Sequence, residues 1–176
     1  MKQIKKTLQK IFNEFFYNLF HLIHGKIRGV ISFKDDHRIK TLEANFQNVN
    51  KYKVYFVKGG RLYTDRVHDT AIILEDKIID EPSFQLRPVN NVDANQNIVL
   101  KKGTPRLKKK LKGTTLSLLT GGAGNDNYFH WLFDVLPRIK ICEKVFDISK
   151  IDYFLLPDTK KKFQVESLDV LKIPKN

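Results

Sequence analysis

Cysteine is nearly absent: Cys142 is the only one in 176 residues. A lone thiol excludes an intramolecular disulfide framework and any cysteine-based zinc site, and it suits a reducing cytosol. Long apolar runs are missing too, since no stretch approaches the ~18–20 residues of a membrane span. No secretory signal is legible. Lys2, Lys5, Lys6 and Lys10 would suit its charged region, but Asn13, Glu14, Asn18, His21 and His24 interrupt the apolar part, and no small-residue cleavage site follows. Acidic residues are few: 19 Asp+Glu face 32 Lys+Arg, a formal charge of +13. That balance selects an anionic partner: nucleic acid, an anionic membrane face or phosphorylated small molecules. What is present excludes a disordered tail, because 41% of the residues are apolar and 13 are Phe.

Residues 1–25 read as a basic amphipathic helix. Ile4, Leu8, Ile11, Phe12, Phe15, Leu19, Leu22 and Ile23 recur at three- and four-residue spacing, with Gly25 as the stop. Such a helix suits an anionic lipid surface or a docking face on the rest of the protein. Residues 26–50 are polar and read as a linker with one short strand near Val30. Residues 51–112 read as antiparallel hairpins followed by a basic connector. In that reading, 52–57 turns at Gly59-Gly60 into 61–64, and 70–74 turns at Glu75-Asp76 into 77–79. The 101–112 run holds seven cations: Lys101, Lys102, Arg106, Lys108, Lys109, Lys110 and Lys112. It reads as a solvated connector, able to steer anions or touch a membrane. It lacks interleaved aromatics for base stacking, which argues against nucleic acid.

Residues 113–176 have a different grammar. A strand over 114–119, a loop with Gly121, Gly122 and Gly124, a helix over 128–143, a strand over 151–156 and a helix over 161–171 give βαβα, the order of a parallel sheet with crossover helices. The expected fold class is therefore α/β. The sheet looks unfinished at Asn176, where a third strand is expected, and this suggests a piece of a longer or split protein.

The chemistry-bearing residues concentrate in 125–140. On a helix, His130, Asp134 and Arg138 fall at i, i+4 and i+8 on one face, with Asn127 beside them. Asp134 can satisfy both neighbours, one turn away on each side. Pro137 has no N–H for the carbonyl of Phe133, so a kink is expected there. One reading makes His130 a general base oriented by Asp134, with Arg138 on a phosphate or sugar oxygen. The loop at Gly122 and Gly124 would receive an anion at the helix start. The other reading is a structural network that fixes helix to sheet.

The segment Asn127-Tyr-Phe-His130-Trp-Leu-Phe-Asp134-Val-Leu-Pro-Arg138 resembles the signature helix of glycosyltransferase family 61, in its bacterial capsular-polysaccharide branch. The preceding glycine-rich loop, residues 61–73 and the strand at 151–157 are similar as well, so the resemblance covers about residues 50–176. It implies a Rossmann-like N-terminal portion of a two-domain GT-B enzyme, with inverting sugar transfer from a nucleotide-sugar and no metal at an Asp-x-Asp motif. The chain has no such motif; Asp35 and Asp36 are adjacent. Carried over position by position, His130, Asp134, Asn127 and Arg138 would face the interdomain cleft, with His130 and Asp134 as the expected catalytic pair and Asn127 and Arg138 on substrate; Gly122 and Gly124 join the expected substrate-binding set through the anion site of their loop. Neither a metal nor a further cofactor is expected.

The expected partners are a nucleotide-sugar donor and a glycan or lipid-linked acceptor of capsule or lipopolysaccharide type. A separate C-terminal half that holds the donor is expected too, so this portion alone would be inactive. An anionic membrane surface would contact residues 1–24 and 101–112. The expected location is cytoplasmic, peripheral to the inner membrane face. The rival is a basic, non-enzymatic module for anionic lipid or nucleic acid. It needs nothing of the pattern from Asn127 to Arg138.

Overall fold

The computed structural model describes residues 2–46, 50–64, 69–85, 93–120, 127–156 and 160–173. Helix α1 (Lys2–His24) forms where the apolar spacing places it. It ends with the Gly25 N–H bonded to the His21 carbonyl at 3.0 Å. Among the described residues no helix is long and apolar enough to cross a membrane.

A five-stranded sheet follows. β1 (Gly29–Ile31) lies parallel to β6 (Lys77–Ile79). β6 is antiparallel to β5 (Asp69–Leu74), and β5 is antiparallel to β4 (Arg61–Thr64) and to the short β7 (Phe84–Gln85). Strand β5 reads Asp-Thr-Ala-Ile-Ile-Leu because both faces of its sheet are covered. Ala71, Ile73 and Ile78 pack with Ile27, Ala94 and Val99 on one face. Leu74 and Ile79 pack with Ile39 on the other, joined by Ile72, Phe33, Tyr55 and Val57. Period-two alternation thus sends successive residues to opposite layers.

The second layer is a long hairpin, β2 (Ile39–Phe46) against β3 (Asn50–Val57), in register from Ile39↔Val57 to Phe46↔Asn50. Two expectations are corrected here. The 26–50 stretch, expected as a linker with one short strand, supplies both β1 and the eight-residue β2. Its polar look comes from Lys40, Glu43 and Asn45, which stand exposed while Ile39 and Ala44 are buried. The expected pairing of 52–57 with 61–64 does not form. An eight-pair ladder with β2 outcompetes the four-residue return strand, and Gly59-Gly60 instead carries the chain from one sheet to the other. The hairpin through Glu75-Asp76 forms as expected. Within 51–112, a 3₁₀ turn (Ala94–Gln96) and α2 (Val99–Lys102) lead into the basic connector, and α2 takes up its first two lysines, Lys101 and Lys102.

The remaining unit runs β8 (Thr115–Ser117), a helix, β9 (Tyr153–Leu155) and α5 (Lys162–Val170). β8 and β9 pair in parallel, Thr115↔Tyr153 to Ser117↔Leu155, which is the expected β-α-β order. Gly113, at φ +125, lies so close to Asp152 that a side chain there would collide with its carboxylate. That carboxylate accepts the Thr114 N–H at 2.6 Å and starts the pairing. The core is Leu118, Trp131, Val135, Ile139 and Ile173. Each such large side chain, fully buried, is worth ~1.5–3 kcal/mol. The Phe56 and Phe146 rings, 5.2 Å apart, link this unit to the β2–β3 hairpin, as does the Lys144 ammonium over the Phe46 ring.

Candidate functional site

The central helix starts at Asn127, whose extended backbone leaves its side chain free to cap. Its Oδ1 accepts the N–H of Phe129 at 2.9 Å and of His130 at 3.4 Å, two donors with no partner inside the helix. The first turn is α3 (Tyr128–His130), followed by a π-helical turn (Trp131–Val135) and then α4 (Leu136–Glu143). The Leu136 N–H bonds to the Trp131 carbonyl, five residues back. The irregularity expected at Pro137 is thus a π turn immediately before it, a common way to absorb a missing donor.

Trp131 is fully buried, and its indole N–H donates to Ser167 Oγ at 2.8 Å. Ser167 in turn donates to the Gln164 carbonyl at 3.0 Å. This chain locks the central helix to α5 and leaves the other side of the helix as surface.

That surface carries the polar pair. His130 Nδ1 lies 2.6 Å from Asp134 Oδ2, and the two side chains are 40% and 46% exposed. A carboxylate only accepts, so Nδ1 carries the hydrogen and Nε2 of the neutral ring holds a lone pair. The arrangement can accept a proton at Nε2 while Asp134 fixes the ring and faces the imidazolium that results. Alongside runs an aromatic row. Phe129 and Phe133 are 61% and 63% exposed, with ring centroids 4.7 Å apart, and Phe129 meets the His130 ring edge-on. Exposed Tyr128 packs on Phe163 of α5.

Arg138 is brought to the same helix but bonded differently than its spacing suggests. Its Nε donates to the Asp134 main-chain carbonyl at 3.0 Å and its Nη1 to the Leu119 carbonyl at 3.1 Å. Burial pushes its pKa below the usual guanidinium value, and the charge of Asp134 opposes that. Arg138 therefore ties the helix to the chain leaving β8, while the Asp134 carboxylate serves His130. Gly122 and Gly124 lie outside the described residues.

Phe129 and Phe133 were not among the expected site residues. Their signal was the i, i+4 spacing one position before His130 and Asp134. The apolar groove of about 530 Å³ between α4 and α5 is lined by Leu132, Leu136, Pro137, Lys140, Ser167 and Val170, and not by His130 or Asp134. No cluster of three His, Cys, Asp or Glu among the described residues is placed to hold a metal ion. His24 is occupied by the Arg106 carbonyl, and Asp36 by Arg38. Cys142 is buried, which pushes its thiol pKa up, with Glu143 adding to the shift. No family model, curated protein or solved structure matches this chain.

Proposed function

We propose that this chain forms the acceptor-binding side of a glycosyltransferase that moves a sugar from a nucleotide-sugar to a surface-glycan hydroxyl of capsule or lipopolysaccharide type. The observation that carries this reading is the His130–Asp134 pair standing exposed beside the Phe129/Phe133 row. Sugar rings present a C–H face that packs on the electron-rich face of an aromatic ring. An acceptor seated on Phe129 and Phe133 brings a hydroxyl toward His130. Nε2 takes the hydroxyl proton as the oxygen attacks the anomeric carbon, and the nucleotide leaves from the opposite side with the bonding electron pair. Asp134 holds the ring and balances the imidazolium charge. Asn127 fixes the start of the helix, and Arg138 fixes the helix on β8. The helix signature described above supports the same reading, with a Rossmann-like GT-B portion as the proposed setting.

Binding is the first readout, because the proposed role is on the acceptor side. Saturation-transfer NMR with a panel of neutral and acidic oligosaccharides should give contacts that disappear in Phe129→Ala and Phe133→Ala. A panel that leaves the Phe129, Phe133 and His130 resonances unmoved at millimolar saccharide would sink the reading.

A further inference from the structure

Helix α1 turns most of its apolar surface away from the rest of the protein. The side that meets the body is mixed: Phe16, Tyr17, Phe20, His21 and His24 are half-buried. The His21 ring packs against the backbone of Gly103, where a side chain would collide with it. His24 Nε2 donates to the Arg106 carbonyl at 2.9 Å. Lys6, Lys10 and Tyr17 share a shallow groove with Lys102. The apolar stripe faces outward: Ile4, Leu8, Ile11, Phe12, Phe15, Leu19, Leu22 and Ile23 are all exposed, from 36% at Leu19 to 85% at Leu22. An exposed apolar face of this extent marks an interaction site.

We infer that α1 lies in the headgroup region of an anionic phospholipid bilayer and holds the protein there. Charge decides between the possible occupants. The seven cations of the 101–112 run are all exposed, and none pairs with a described acid. The run is pinned to the C-terminal end of α1 through Arg106 and Gly103. On the helix, Lys5 borders the apolar stripe, and the one acidic residue is Glu14. A second copy would bring another +13 against the first. A bilayer rich in acidic lipid attracts the cations and receives the apolar stripe. At ~1.5 Å per residue the helix would lie about 35 Å along the surface. Its polar side, lysines included, keeps it from spanning. The exposed Phe12 and Phe15 rings, each packed on the half-buried Phe16, supply the aromatic surface that interfacial helices carry. This inference stands apart from sugar transfer, since neither His130 nor Asp134 takes part.

Flotation of the full chain with phosphatidylcholine vesicles, with and without about one third phosphatidylglycerol, tests it. Binding should require the acidic lipid and weaken with added salt. Lys108→Gln, Lys109→Gln and Lys110→Gln should each lower the partition coefficient roughly fivefold. The pair Phe12→Ser and Phe15→Ser should abolish binding while the thermal melt of the β body stays unchanged, since both rings are exposed. Three results would overturn the inference: no flotation with acidic vesicles, equal flotation with neutral ones, or flotation that survives the phenylalanine pair. Sedimentation showing a dimer that this pair dissociates, with no flotation, would assign the face to a second copy instead.

Discussion

His130 and Asp134 are joined across one helical turn, Nδ1 to Oδ2 at 2.6 Å, and the bond fixes which imidazole nitrogen carries the hydrogen. Asparagine at position 134 can turn its amide N–H toward Nδ1 and move the hydrogen to Nε2, which removes the lone pair the proposed reaction uses. In an enzyme rejoined with its donor-binding half, Asp134→Asn should therefore lower kcat by roughly 10²-fold or more with KM nearly unchanged, and His130→Gln should do at least as much. Long-range ¹⁵N spectra of the His130 ring should show the Nδ1–H tautomer in the parent chain and a shift toward Nε2–H in Asp134→Asn. An unchanged tautomer would separate Asp134 from the positioning role.

Asn127 does for the backbone what Asp134 does for the ring. Its side chain accepts two of the first N–H groups of the helix that presents Phe129 and His130. Asn127→Ala should cost ~1 kcal/mol in urea unfolding, and Asn127→Asp should recover most of it. Loss of the cap should also loosen the Phe129–Phe133 stack and weaken saccharide contacts before global unfolding.

Most of the second unit was legible, because its signals are local. The apolar runs of β8 and β9, the caps and the helix period each report on a few adjacent residues, and the β-α-β order follows from them. The β2–β3 pairing was not legible: it depends on which ladder is longer, a comparison no single window contains. Pro137 announced a distortion but not its kind, since a kink and a π turn both absorb one missing donor. His130 and Asp134 met as i, i+4 neighbours should. Arg138 did not join their carboxylate, because the Leu119 carbonyl that it takes is nineteen residues away in sequence. The orientation of α1 was equally hidden. Its stripe is plain, but whether the stripe faces in or out depends on Gly103 and Arg106.

Asp36 and Arg38 contribute to the acid response of the β1–β7 part of the chain. The Asp36 carboxylate accepts from Arg38 Nε at 2.9 Å and Nη2 at 2.6 Å, and from the Arg38 N–H at 2.9 Å. Arg38 Nη1 also reaches Glu75 at the β5–β6 turn, at 2.7 Å. These side-chain and backbone hydrogen bonds hold the Asp36 carboxyl well below the usual carboxylate range. A depressed folded value means that the stabilisation is complete above the unfolded pKa, ~3.9, and drains away as pH falls below it. Asp36→Asn should be less stable than the parent at pH ~7, and the gap should narrow toward pH ~2. Urea midpoints at several pH values read this directly. A gap that does not change with pH would mean that Asp36 acts through packing or neutral hydrogen bonding.

Ser167 tests whether the surface pair depends on the buried side of its helix. The Trp131 indole N–H is fully buried and donates to Ser167 Oγ, which accepts from the indole while donating to the Gln164 carbonyl. Ser167→Ala leaves the indole N–H without that acceptor, at a cost of about 1–3 kcal/mol. Ser167→Thr keeps the hydroxyl and should cost less. The two variants differ by more than stability. Trp131 opens the π turn that runs to Val135 and contains Asp134, so an indole that shifts to find another acceptor turns Asp134 away from His130. The expected result for Ser167→Ala is a lower melting temperature together with a partial shift of the His130 ring toward Nε2–H, the same spectroscopic change as in Asp134→Asn but smaller. A lower melting temperature with an unmoved ring would show that the π turn insulates the surface pair from the core. The exposed pair would then keep its geometry through the turn's own backbone and the Arg138 contacts to the Asp134 and Leu119 carbonyls.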